Sequence, residues 1–175
     1  VAQCLFAGDE VTNPNHVGII ARGNGVVVHH CIFRGLKIAV VLWSGGSSGH
    51  AMRSCLCHGL YGSAIWTAGI ADDLDYRNNV VEACNYVWTY QSGAMAGRDP
   101  DAGTRAGGST TAPEKKPVHY KVVNSLFAAN KQMACSGTGA NLGFQDIDSS
   151  FLELINTKVS DQSVAVELDE TKKNY

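Results

Sequence analysis

The stretch GVVVHHCIFRG, residues 25–35, decides the reading of this chain. It reads as a β-strand that closes on a small residue and a tight bend. The same cadence returns as HAMRSCLCHG at 50–59, DLDYRNNVVEA at 73–83, HYKVVNSLFAA at 119–129 and QDIDSSFLEL at 145–154. Aligning the residue that closes each strand gives the column Cys4, Cys31, Cys55, Asn79, Ser125 and Ser150, at intervals of 27, 24, 24, 46 and 25 residues. The long interval contains SGAMAGRDPDAGTRAGGSTTAPEKKP, 92–117, which lacks apolar periodicity and is predicted to be an inserted surface loop. Removing about 20 of its residues restores the period.

Neighbouring columns agree. The next position holds Leu5, Ile32, Leu56, Val80, Leu126 and Phe151, and the one after it Phe6, Phe33, Cys57, Val81, Phe127 and Leu152. A second apolar strand follows in each unit: IAVVLW (38–43), SAIWT (63–67), NYVWTY (85–90) and KQMACS (131–136). Units of this length are too short for a propeller blade and lack the leucine-rich consensus, and no window carries helical periodicity. The pattern predicts an all-β chain, a parallel β-helix of about six to seven coils in one domain over 1–175, in which each coil buries its apolar face only by stacking on the next.

Composition narrows the partners. A net charge of -2 with 17% charged residues offers no basic excess for nucleic acid. No apolar run reaches the length of about 18 residues that a membrane span needs. The six cysteines are even in number, but stacking makes Cys4, Cys31 and Cys55 vertical neighbours that fill small interior space, so free packed thiols are expected. No Cys/His spacing forms a metal set, the closest being Cys55-x-Cys57-His58. The chain starts at Val1, and neither end carries a recognisable cap. The expectation is a piece of a longer protein, or a homo-oligomer formed through uncapped coil ends.

The segments VVVHHCIFRG, MRSCLCHG, YRNNVVEA, KVVNSLFAA and IDSSFLEL resemble the repeat of the right-handed parallel β-helix (pectate-lyase-like) superfamily. The resemblance covers about residues 1–168 apart from the loop and implies the architecture rather than one activity. Members include secreted polysaccharide lyases and hydrolases, which favours an extracellular or periplasmic location. Others are adhesins, tailspikes and scaffolds without chemistry. A lyase of this kind would use Ca2+ held by aspartates.

Two groups of residues carry the functional expectation of a protein that binds or cleaves an acidic polysaccharide or oligosaccharide. If Val28, Met52 and Tyr76 point inward, the next column, His29, Arg53 and Arg77, points to solvent. With Asp72, Asp73, Asp75 and His50 nearby, it forms a shallow groove in which arginines hold a uronate carboxylate and an aspartate serves as base or as one of a carboxylate pair. The solvated reading of the same residues is a set of Arg–Asp pairs between coils. Trp43, Trp66 and Trp88 recur at intervals of 23 and 22 and, with Tyr90, suggest an aromatic strip for sugar stacking or, alternatively, a buried aromatic ladder. The rival function is a non-catalytic binding or structural module of a surface or scaffold protein.

Overall fold

The computed structural model describes residues 1–9, 15–43, 48–68, 73–91, 120–138, 143–146, 149 and 151–160; the 92–117 loop lies outside them. The described residues form strands and no helix. The chain passes through β1 (Leu5–Ala7) and β2 (Val17–Ala21). It then makes rounds of three: β3 (Val27–His29), β4 (Ile32–Arg34) and β5 (Ile38–Trp43); β6 (Ala51–Arg53), β7 (Leu56–His58) and β8 (Ser63–Ala68). Next come β9 (Asp75–Arg77), β10 (Val80–Glu82) and β11 (Tyr86–Gln91); then β12 (Tyr120–Val123), β13 (Leu126–Ala128) and β14 (Gln132–Thr138). It ends in β15 (Gly143–Asp146), β16 (Leu152–Ile155) and β17 (Lys158–Val159).

Each round contributes one strand to each of three sheets. Sheet A runs β3-β6-β9-β12-β16, sheet B runs β1-β4-β7-β10-β13-β17, and sheet C runs β2-β5-β8-β11-β14-β15. Every pairing is parallel except that of β14 with β15. Among the described residues this is an all-β arrangement of three stacked sheets, and it fits a parallel β-helix.

The bends explain how so short a repeat turns so sharply. GVVVHHCIFRG, predicted to be one strand, is two, split at His30, whose φ is 54°. Ser54, Asn78, Asn124 and Asn156 occupy the same bend in later rounds, with φ between 47° and 56°. Left-handed backbone is costly for residues with a Cβ, least so for Asn. The cost is offset because each bend N–H donates to the following round: His30 to the Arg53 carbonyl (3.1 Å), Ser54 to Arg77 (3.1 Å), Asn78 to Val123 (3.0 Å) and Asn124 to Ile155 (3.0 Å).

Behind the bend the closing residue turns inward. Asn79 Oδ1 accepts from the Cys55 N–H (2.9 Å) and its Nδ2 donates to the Met52 carbonyl (2.9 Å). Asn130 repeats the arrangement at the next corner, with Cys84 N–H (3.0 Å) and the Val81 carbonyl (2.9 Å). Cys31 and Cys55 take the same small space, and all six cysteines are free, as expected, but Cys4, in the first round, is exposed rather than packed. Burial pushes the Cys55 thiol up to about 11 and Cys84 to about 12, so both stay protonated. The core between the sheets is aromatic: Trp88 packs on Tyr76 (5.0 Å) and Tyr120 (5.2 Å), and Phe6 stacks on Phe33 (4.9 Å).

The last round departs from the expected register. Val122 lies opposite Leu154 and Leu126 opposite Lys158, so Thr157 rather than Ser150 follows Ser125 in the closing column. Thr157 Oγ1 does the work expected of that column, accepting from the Ser125 N–H (3.3 Å) and donating to the Val122 carbonyl (3.1 Å). The antiparallel β15 lies in the interval and lengthens it.

Asn79→Ala leaves the buried Cys55 N–H unpaired and removes one of the bonds to the Met52 carbonyl, and it is expected to cost about 1–3 kcal/mol in urea unfolding. Tyr76→Phe should be neutral or stabilising by about 1 kcal/mol, because the buried Tyr76 hydroxyl has no hydrogen-bond partner to lose. Equal destabilisation by both would refute this account of the interior.

Candidate functional site

The solvent face of sheet A is built by register. His29 lies opposite Arg53, Arg53 opposite Arg77 and Arg77 opposite Val123, which is the column read from the sequence. Its companion column places Ala51 opposite Asp75. Neighbouring strands in a sheet are about 4.8 Å apart, so Arg53 and Arg77 project side by side along the stack. Asp75 lies between them. Arg53 reaches its Oδ2 at 2.5 Å, while Arg77 binds both oxygens, Nε to Oδ1 at 2.5 Å and an Nη to Oδ2 at 2.6 Å. The Arg77 hydrogen bonds, and after them those of Arg53, hold the Asp75 carboxyl below the ordinary carboxylate range against the opposing effect of burial. The three residues carry a net charge of +1, and both guanidinium groups remain about half exposed.

At the top of the column His29 Nδ1 lies 3.0 Å from His30 Nδ1, so one ring donates and the other accepts. Asp73 is exposed and accepts from the Gly49 N–H at 2.8 Å, which ties it to the corner preceding sheet A. Asp72, expected beside it, lies outside the described residues. His50 does not reach the groove. It is 2% exposed, its Nδ1 accepts from the Val26 N–H (3.3 Å), and burial lowers its pKa, partly opposed by Asp73.

The aromatic strip is corrected by register. Trp66 pairs with Val41 and Thr89, whereas Trp88 pairs with Ile65, and Trp43 lies opposite Ala68. Intervals of 23 and 22 are therefore not one column, and a one-residue slip turns a side chain to the other face. Trp88 belongs to the main core, and Trp66 to a second apolar cluster with Ile38, Val41 and Ala68. Both are 0% exposed, so neither offers a surface to a sugar. Trp43 is partly exposed beside Trp66 (5.8 Å), and the partly buried Tyr90 stacks on Phe151 (4.8 Å).

Sequence reasoning passed over the second solvent column of sheet B, where Arg34, His58 and Glu82 are exposed and in register. His58 Nδ1 lies 3.6 Å from Glu82. Its signal was present, since the residues two places after Ile32, Leu56 and Val80 are polar and ionisable (Arg34, His58 and Glu82) in three successive rounds. Among the described residues no three His, Cys, Asp or Glu side chains gather as a metal-ligand set. Comparison with known family models, curated proteins and solved structures found no match.

The site thus presents paired, exposed guanidinium groups beside a histidine, with its central carboxylate already engaged. Asp75 should titrate with a midpoint below the usual value of about 3.9. Its stabilising effect is present above that value and declines as pH falls through the folded-state midpoint. Carboxyl NMR titration should show the midpoint rising in Arg77→Gln, and an unmoved midpoint would discount the clamp. In Trp43→Phe, the remaining tryptophan emission should be blue-shifted and resist acrylamide; ready quenching would contradict the burial of Trp66 and Trp88.

Proposed function

We propose that this chain is a right-handed parallel β-helix of the pectate-lyase-like kind, about six to seven coils long, that binds an acidic polysaccharide along the solvent face of sheet A without cleaving it. The observation that carries this reading is the Asp75 clamp. It fixes Arg53 and Arg77 side by side in an exposed column that continues to His29. A guanidinium fork pairs with a carboxylate through two parallel hydrogen bonds, and a row of such forks at a regular spacing suits a polymer that repeats its carboxylates.

The same clamp argues against cleavage. A lyase needs a carboxylate or other base ready to take a proton, and a glycosidase needs two carboxyl groups flanking the bond. Asp75 is made a weaker base by two arginines that engage both its oxygens, and one oxygen of Asp73 accepts from the Gly49 N–H. The Asp75 clamp is what favours binding by a module without chemistry.

Titration calorimetry with a polyuronate should show binding that weakens with salt, and Arg53→Ala with Arg77→Ala should reduce affinity about tenfold or more, equivalent to about 1.4 kcal/mol. Equal binding of a neutral polymer, or unchanged affinity in the double variant, would sink the proposal. Ultraviolet absorbance from unsaturated products would replace the binding module with a lyase.

A further inference from the structure

The solvent side of sheet B is apolar in one column and charged in the next, and the order of its charges selects a partner. We infer that two copies of this chain pair face to face through sheet B, with their stacks running in opposite directions. This pairing leaves sheet A, and with it polysaccharide binding, untouched. Leu5, Ile32, Leu56, Val80 and Leu126 lie opposite one another in successive rounds. They point outward, because the residue after each of them (Phe6, Phe33, Cys57, Val81 and Phe127) packs in the core. Ile32 is 43% exposed, and Leu56, Val80 and Leu126 are half-buried. At about 4.8 Å per round, this aliphatic stripe runs about 19 Å along the stack. From β3 to β14 sheet B is entered and left by bends of two to four residues, so no inserted segment rises from either flank. The bends on the exit side turn on Gly35, Gly59, Ala83 and Ala129, all with positive φ, and these small residues keep the rim low. A second sheet can therefore approach to the usual separation of about 10 Å.

The charged column decides what that second sheet is. Beside the stripe stand Ala7, Arg34, His58, Glu82 and Ala128, in register. Arg34, His58 and Glu82 are exposed, and Glu82 Oε2 lies 3.6 Å from His58 Nδ1. Read outward from His58, the column is matched in size and opposite in charge: a cation and then alanine one way, an anion and then alanine the other. Such a column is complementary to its own reverse. Consider a two-fold axis lying between the sheets, parallel to the strands and level with Leu56 and His58. It reverses the order of the rounds but keeps each column over itself. Leu56 then meets Leu56, Ile32 meets Val80, and Arg34 of each copy meets Glu82 of the other. A two-fold axis along the stack would instead lay the charged column on the aliphatic one and leave charges buried without partners. A second copy is the partner this face selects, because its own columns supply both the apolar stripe and the reversed charges. The contact is isologous and closes as a dimer.

The test reverses the charges. The face is small beside a standard interface, so the dimer forms at high protein concentration. Sedimentation equilibrium of the wild-type chain should give a mass that rises from one copy to two and no further. Arg34→Glu and Glu82→Arg each set like charges together at both contacts, and each should raise the dissociation constant about tenfold or more. The double variant restores both pairs and should return close to the wild-type value. An equimolar mixture of the two single variants should form a dimer that neither forms alone, and circular dichroism checks that each keeps the fold. A wild-type chain that is monomeric at every concentration, or whose mass climbs past two copies, would overturn this pairing. So would association that survives either reversal unchanged, or a double variant no tighter than the singles. A monomer whose Ile32 and Leu56 methyl signals are shielded from a soluble paramagnetic probe would overturn it too, since another part of the chain then covers the stripe.

Discussion

The hydrogen bond from the Leu56 N–H to the Cys31 carbonyl (2.9 Å), repeated from Val80 to Cys55 and from Leu126 to Asn79 (2.9 Å each), is the constraint on which everything else rests. It joins like position to like position in successive rounds. Once that register is set, an apolar residue at one inward position requires another above and below it, which is why Phe33, Cys57, Val81 and Phe127 form one buried column. A left-handed bend in a non-glycine residue would ordinarily be a local liability. Here each bend residue is held by its bond to the next round and by the Asn, Ser or Cys side chain tucked behind it, so strain is distributed over the stack instead of concentrated.

The same register creates the surface features. Arg53 becomes a neighbour of Asp75 and Arg77, more than twenty residues away in sequence, because they occupy adjacent outward columns, and two guanidinium groups then lie side by side along the stack. Flat faces with a fixed repeat are suited to ligands that also repeat. That property, rather than any deep cleft, is what the described part of the molecule offers.

Much of this was legible in the sequence because a period-2 side-chain alternation combined with a near-constant interval can be read by alignment. The columns from Leu5 to Leu126 and from His29 to Val123 were recovered to the residue. The split of 25–35 into two strands was not, since His30 and Ser54 bear no mark of a left-handed bend, and only Asn78, Asn124 and Asn156 hint at it. The strand Val17–Ala21 was missed because it precedes the first full repeat. The last round was misplaced by seven residues because SSFLEL imitates the polar-to-apolar switch more closely than INTKV does. The tryptophans misled for a related reason: a spacing that varies by one residue looks trivial in a string and reverses the face in a sheet.

Solution NMR can test the register itself. Scalar couplings across hydrogen bonds should link the Leu56 amide to the Cys31 carbonyl, Val80 to Cys55 and Leu126 to Asn79, with these amides among the slowest to exchange. Couplings that instead join adjacent strands as antiparallel hairpins, or rapid exchange at all three amides, would contradict the stacked parallel arrangement and with it the arginine column.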